Sequence, residues 1–249
     1  MAQKNTTIKL LLFLSDQHWR RVDSRTLKLL WPKLSLGGRR SLINYGLQKG
    51  WWQRQLLENR RHLAITQMGR ELLSSYLPVF DEKAGSWQGQ WSLLLFLRPP
   101  KFDRQFRYLR QLLISNRAQA VSRGVYLLPS FLLERVFYDI KNNYQSHIFV
   151  WRLADCLIGD QKQFVFNNYS LLDLYESYSG ISKEIERMLN KKKNFYDASD
   201  QQKKYFFSVF DRLINLLFND AGILSFYFPK LKNGKEILFA WLQLFPTID

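Results

Sequence analysis

Five side chains that can read nucleic-acid bases recur at helical spacing between positions 39 and 49. At about 100° per residue they fall on one side of a helix, and that side carries no acid. Arginine suits guanine, asparagine and glutamine suit adenine, and serine suits either base. The spacing therefore predicts a helix whose polar face contacts DNA. Its members are Arg40, Ser41, Asn44, Tyr45 and Gln48.

A basic hairpin is predicted directly after this helix. Residues 51–57 and 62–66 are typical of two short strands, and the tip between them is polar. Arg54, Arg60 and Arg61 lie on this hairpin, where they are expected to contact phosphates or a minor groove. One ring of the Trp51–Trp52 pair is expected to pack beneath it.

Three helices must position these side chains. They are predicted at residues 7–14, from Ser24 onward, and at 39–49, with a turn at Gly37–Gly38. Gly46 is expected to let a neighbouring helix approach closely, and Gly50 to end the third helix. Arg39 should lie near the core and meet a phosphate or a loop.

Helix, turn, helix and hairpin together indicate a winged helix-turn-helix DNA-binding domain over residues 1–80. A small α/β domain with a solvated basic face is the competing interpretation.

The charge distribution agrees with a polyanionic partner. The chain of 249 residues has 37 basic and 21 acidic side chains, and residues 1–80 hold 14 and 4 of them. Nucleic acid fits this field better than an anionic membrane surface. No segment is apolar enough to span a bilayer. The single cysteine, Cys156, indicates a reducing, cytoplasmic location, and its thiol is expected to be buried.

The remainder of the chain predicts two further domains and an α+β fold overall. Residues 81–86 are a candidate linker. Residues 87–168 follow the order β-α-β-β-α-β, which is the ferredoxin-like arrangement, with an extra strand at 163–166. Residues 169–249 are interpreted as a helical domain, with helices at 170–177, 182–193, 199–218 and 234–244.

Catalytic and metal-binding patterns are weak. The histidines, His18, His62 and His147, are scattered, so no metal site is expected, and no cofactor loop or nucleophilic triad is present. Asp103 follows the first central strand and could hold a metal in a nuclease or RNA-processing factor. An N-cap role explains Asp103 more simply, so we expect a protein that is not an enzyme. The nuclease remains the alternative.

Several motifs resemble those of the PaaX-type repressors of phenylacetate catabolism, in the same order. Residues 87–113, "WQGQWSLLLFLRPPKFDRQFRYLRQLL", are similar to the family's W-x-G-x-W strand entry and L-R-x-x-L helix. "ITQMGREL" at 65–72, "GVYLLP" at 124–129, "YSLLDLYESYSGISKEI" at 169–185 and "FNDAGILSFYFPKLKNGKEIL" at 218–238 are similar to further segments. The family's usual tryptophan or proline is replaced at Tyr169, Ala221, Ser225 and the Lys232–Asn233 pair.

The resemblance implies a winged-helix transcriptional repressor that acts as a homodimer on palindromic double-stranded DNA. The best-known members release DNA when they bind an aryl-acyl-CoA. Because the C-terminal segment departs from the family pattern, no effector-binding residue is carried over to this chain. A non-catalytic assembly protein with an incidental basic face is the third hypothesis.

Overall fold

The computed structural model describes the chain except for residues 1, 17, 58–59, 98–103, 192–194, 246 and 249. The protein is a mixed α and β structure with two four-stranded antiparallel sheets and a helical C-terminal region. Single 3₁₀ turns occur at Pro78–Phe80 and Ser130–Leu132. In chain order the helices and strands are α1 (Ala2–Phe13), β1 (Trp19–Arg21), α2 (Ser24–Leu30), α3 (Leu36–Gln48), β2 (Trp52–Leu57), β3 (Arg60–Ile65), α4 (Gln67–Tyr76), α5 (Glu82–Gly85), β4 (Trp91–Phe96), α6 (Arg104–Ser115), β5 (Gln119–Ser122), β6 (Val125–Pro129), α7 (Glu134–Tyr144), β7 (Ile148–Leu153), α8 (Gln161–Asn168), α9 (Leu171–Asn190), α10 (Asp200–Asn219), α11 (Leu224–Tyr227), α12 (Gly234–Leu242) and β8 (Thr247–Ile248).

The first sheet has the strand order β2-β3-β1-β8. Sequence periodicity does not reveal β1, which has only three residues, yet it pairs with β3 on one side and β8 on the other. Arg20 in β1 is buried, forms an ion pair with Asp16, and donates a hydrogen bond to the Phe245 carbonyl at 3.3 Å. The end of the chain therefore packs against its beginning.

Side-chain caps determine where α2 and α3 begin. The Asp23 carboxylate accepts from the Thr26 amide at 2.8 Å, and the Ser35 hydroxyl accepts from the Gly38 amide at 3.1 Å. Because Ser35 caps the helix, Gly37 and Gly38 lie in the first turn of α3. The prediction of a glycine turn was wrong, since residues 31–35 make the connection instead.

The second sheet has the strand order β5-β6-β4-β7. On β4, Leu94 and Phe96 face the core, and Phe106 of α6 packs edge-on against Phe96 with ring centroids 5.0 Å apart. Leu109 and Leu113 continue the buried stripe of α6. The strand β7 forms one edge of this sheet.

Two predictions for the C-terminal half were wrong. Residues 163–166 belong to helix α8, because Asp160 caps it at the Gln163 amide and Val165 is buried on its inner face. The predicted helices at 170–177 and 182–193 are one helix, α9. Its buried stripe continues past Gly180 with Leu171, Leu174, Tyr178, Ile181, Ile185 and Met188.

Residues 81–86, predicted as a linker, form the short helix α5 beside the Asp81–Arg135 ion pair.

Candidate nucleic-acid interface

Helix α3 exposes all five of its predicted base-reading side chains, namely Arg40, Ser41, Asn44, Tyr45 and Gln48. Its fully buried positions are Arg39, Leu42 and Gly46, which are spaced three and four residues apart. Ile43 and Leu47 are apolar but only half-buried. The polar face of α3 therefore points to solvent as the helical wheel predicted.

The indole of Trp52 anchors α3 to the hairpin formed by β2 and β3. It is buried, and its Nε1 donates to the Ile43 carbonyl at 3.0 Å. A Cβ atom at Gly46 would lie 1.9 Å from Cζ2 of this ring. Gly46 thus makes room for an indole and not for a neighbouring helix, which corrects that prediction. The expectation that one ring packs beneath the hairpin is confirmed.

Arg39 contributes to the fold at the start of α3. Its side chain is buried, and Nε donates to the Trp31 carbonyl at 3.2 Å. Arg39 therefore contacts the loop that follows α2, which is one of the two partners expected for it. Its side chain stabilises the fold, whereas the side chain of its neighbour Arg40 is exposed.

Aromatic contacts hold Tyr45 at the outer end of α3. Its ring packs edge-on against Trp51, with centroids 5.3 Å apart, and Nζ of Lys49 lies 5.7 Å from the Tyr45 centroid. Sequence reasoning did not include Lys49 among the site residues. The i, i+4 spacing from Tyr45 was the available signal, because such residues are neighbours on a helix surface.

The hairpin arginines Arg54, Arg60 and Arg61 are exposed, while His62 is buried with Nδ1 at 3.2 Å from the Arg60 carbonyl. His62 thus packs under the hairpin and does not add to its exposed basic surface. The polar tip was predicted at 58–61, but Arg60 and Arg61 belong to β3, and residues 58–59 lie outside the described residues.

An open cleft of about 380 Å³ brings four predicted residues together. Arg40 and Asn44 of α3 line it on one side, and Arg54 and Arg61 of the hairpin line it on the other. Its floor is apolar, with Val22, Leu27, Ile43 and Leu63. Ser41, Tyr45, Gln48 and Arg60 are exposed but do not line the cleft.

The positive charge around the cleft is not neutralised locally. No acidic residue occurs between Asp23 and Glu58 in the sequence. Within the described part of the chain, none of the arginines at positions 40, 54, 60 and 61 forms an ion pair. Guanidinium groups that lack an internal partner are free to bind an external anion.

Other predicted sites gain no support. Cys156 is exposed in the loop after β7, so the prediction of a buried thiol was wrong, because this loop leaves the sheet edge and does not return to the core. Asp103, the candidate nuclease residue, lies outside the described residues. Among the residues that are described, no cluster of His, Cys, Asp and Glu is placed to hold a metal ion. None of the described helices is long and apolar enough to cross a membrane.

The sequence matches no protein-family model and no curated protein. Among solved structures, the chain is similar to the uncharacterized protein Rv0674 from Mycobacterium tuberculosis. The two share 15% identity with a TM-score of 0.48, over 94% of this chain and 91% of that one. This level of similarity carries no functional argument.

Proposed function

We propose that this protein is a sequence-specific, double-stranded DNA-binding transcriptional regulator, a dimeric repressor of the PaaX type. The observation that carries the proposal is the cleft in which Arg40 and Asn44 of an exposed, acid-free helix face Arg54 and Arg61 of an adjacent hairpin. Base-reading groups on one wall and phosphate-binding groups on the other are what a DNA duplex requires.

The connectivity of the first sheet supports a winged helix-turn-helix interpretation. The order α1-β1-α2-α3-β2-β3, with β1 paired beside β3, places α3 next to a two-stranded hairpin. In the second sheet, the order β5-β6-β4-β7 with α6 and α7 as crossovers supports the ferredoxin-like interpretation. Because a fold does not by itself imply a function, the proposal depends on the cleft.

In the proposed complex, α3 lies in the major groove. Arg40, Asn44 and Gln48 contact base edges, and Ser41 and Tyr45 contact bases or nearby phosphates. Arg54, Arg60 and Arg61 bind the backbone or the adjacent minor groove and so set the register of the helix. Two such units on successive major grooves would block polymerase access.

Selection from a random duplex library tests this proposal. We expect the wild-type protein to select a palindrome, and Arg40→Ala with Asn44→Ala to remove the sequence preference, because each bidentate base contact contributes about 1–3 kcal/mol of discrimination. Arg60→Ala with Arg61→Ala should weaken binding to all duplexes and reduce the slope of log K against log salt by about one per lost phosphate contact.

Arg107→Ala with Gln111→Ala is the matched control, because these exposed residues of α6 have the same i, i+4 spacing. This variant should select the wild-type palindrome. Failure of the wild-type protein to retain any duplex at physiological salt would contradict the proposal. So would cleavage of the DNA by clean protein with Mg²⁺ or Mn²⁺, which would favour a nuclease.

A further inference from the structure

A second cavity, of about 560 Å³, lies between the β5 hairpin and the helices α8, α9 and α10. Ile114, Leu174 and Leu216 form an apolar part of its lining. The remaining wall is polar and is distant in sequence from the α3 cleft. Its polar members include Arg117, Asn168, Ser170, Asp173, Ser177 and Asn219.

Arg117 contributes a cation to this cavity and forms no ion pair with any described residue. Its Nε atom is buried and has no hydrogen-bond partner, and no ion pair joins its guanidinium to any residue that the structure describes. Burial lowers the pKa of Arg117, and the attraction of Asp220 opposes that shift from beyond ion-pair distance. The Asp220 oxygens are occupied by the Tyr178 hydroxyl and the Gly222 amide. A buried donor without an acceptor lowers stability unless a ligand supplies the acceptor.

The backbone at Arg117 is strained in a way that glycine would relieve. Its φ is +67°, in the left-handed region, where it ends α6. The Arg117 amide donates to Ile114 and the Ala118 amide to Leu113, at 3.0 and 2.9 Å, which is the pattern of a helix end that usually carries glycine. Glycine is the residue most often found at this position, so the backbone conformation does not account for an arginine here.

Ser170 provides a second strained position on the same cavity. Its φ is +48°, and it precedes the 20-residue helix α9 without capping it through its side chain. Arg117 and Ser170 are the non-glycine residues with positive φ in the described part of the chain, and both line this cavity. The positive end of the α9 dipole is therefore close to the Arg117 cation.

We propose that this cavity binds a small molecule through an anionic group, a carboxylate or a phosphate, that pairs with Arg117. The anion pairs with the guanidinium charge and is further stabilised by the N-terminus of α9. The exposed Asp173 carboxylate accepts from a hydroxyl or ammonium group elsewhere on the ligand, and the apolar wall takes its hydrocarbon part. The site does not depend on DNA binding.

Titration of the full chain with inorganic phosphate, acetate and hexanoate, each against equal ionic strength of sodium chloride, tests this site. We expect at least one probe to shift the ¹⁵N signal of Arg117 Nε and to raise Tm in the wild-type protein. A response to phosphate alone identifies a phosphorylated ligand, and a response to hexanoate above acetate identifies a carboxylate with an apolar tail. No response to any probe overturns the proposal.

Two variants separate binding from folding. Arg117→Gly should fold with an equal or higher Tm, because it removes the strained backbone and the unpaired donor, and should bind the responding probe at least about tenfold more weakly. Arg117→Gln keeps a long side chain without the charge and should lose binding equally. Arg123→Gln, at an exposed arginine of the same hairpin outside the lining, should respond like the wild-type protein. Binding retained in both Arg117 variants, or a marked loss of Tm in Arg117→Gly, would refute the assignment.

Discussion

At the scale of single residues, the contact between Trp52 and Gly46 determines how the polar face of α3 is presented. The indole fills the space that a side chain at position 46 would need, and its Nε1 hydrogen bond to Ile43 fixes the distance between α3 and β2. This contact brings Arg40 and Asn44 opposite Arg54 and Arg61. The geometry of the proposed DNA site thus depends on a residue pair that does not itself contact DNA.

Gly46→Ala is expected to lower the free energy of unfolding by about 1–3 kcal/mol, because the new methyl group overpacks the Trp52 ring. Urea unfolding measures the change. In a double-mutant cycle with Trp52→Leu, the loss should be smaller than the sum of the single losses, since the smaller side chain leaves space for the methyl group. Strict additivity would show that the two positions do not interact.

Asp220 illustrates a buried carboxyl with a structural role. Burial raises its pKa, and the Gly222 amide and the Tyr178 hydroxyl donate to it at 2.7 and 3.1 Å. A raised pKa in the folded state means that the group contributes most to stability below its unfolded pKa. This contribution is lost as the pH rises through the folded pKa.

Asp220→Asn should therefore gain stability relative to the wild-type protein at pH 7, and the gain should shrink as the pH falls and the wild-type carboxyl takes up its proton. Urea unfolding at pH 7, 5.5 and 4 measures the difference. Asp173→Asn, at an exposed carboxyl, is the matched substitution measured alongside. A stability gain of Asp220→Asn that grows as the pH falls would contradict a raised pKa of Asp220.

At the scale of secondary structure, α9 shows how an apolar stripe overrides a local helix breaker. Gly180 lies in the middle of the helix, yet the buried residues continue on both sides of it, from Leu171 to Met188. The burial of this stripe outweighs the backbone entropy that glycine costs. A Cβ atom at Gly180 would meet nothing within 4 Å.

Gly180→Ala is expected to raise the free energy of unfolding by about 0.5–1 kcal/mol, because alanine loses less backbone entropy in a helix and has open space here. The matched control is Gly69→Ala in α4. It should lower the free energy of unfolding, because its Cβ atom would lie 2.0 Å from the Trp51 carbonyl oxygen. Chemical denaturation compares both variants. Destabilisation by Gly180→Ala would show that its face of α9 is covered.

At the scale of the whole molecule, the proposed dimer needs a surface, and the free edge of the second sheet is our candidate. Phe149 and Trp151 on β7 stack with centroids 5.3 Å apart and are each nearly half exposed. Leu157 and Ile158, in the loop that follows, are 92% and 94% exposed. Apolar side chains at an open sheet edge are typical of an interaction surface.

Trp151→Glu is expected to convert a dimer into a monomer, because two buried carboxylates would face each other across a two-fold interface. Sedimentation equilibrium measures the mass, and binding to a palindrome should weaken much more than binding to one half-site. Tyr138→Glu, at an exposed aromatic residue of α7, is the control and should remain dimeric. A monomeric wild-type protein, or a dimeric Trp151→Glu variant, would show that the β7 edge is not a dimer interface.

Sequence reasoning succeeded where the determining contacts are local. The polar face of α3, the β2–β3 hairpin and the β5–β6 hairpin each follow from patterns within about ten residues, and their existence is confirmed. It failed where three-dimensional packing decides the outcome even between near neighbours, as at Gly46, which makes room for the Trp52 indole. It also failed at Cys156, because burial depends on where the loop runs and not on residue type. The three domain boundaries and the proposed function stay predictions.

The sequence by itself determined the amphipathic helices, the hairpins and the basic, acid-free character of residues 24–57, because side-chain periodicity and charge are properties of neighbouring residues. Only the tertiary structure decided that β1 pairs with β8, that four predicted DNA-binding residues share one cleft, and that Arg117 lines a cavity without an ion-pair partner among the described residues. Those features join residues far apart in the chain, and their free energies depend on long-range packing that no local pattern encodes.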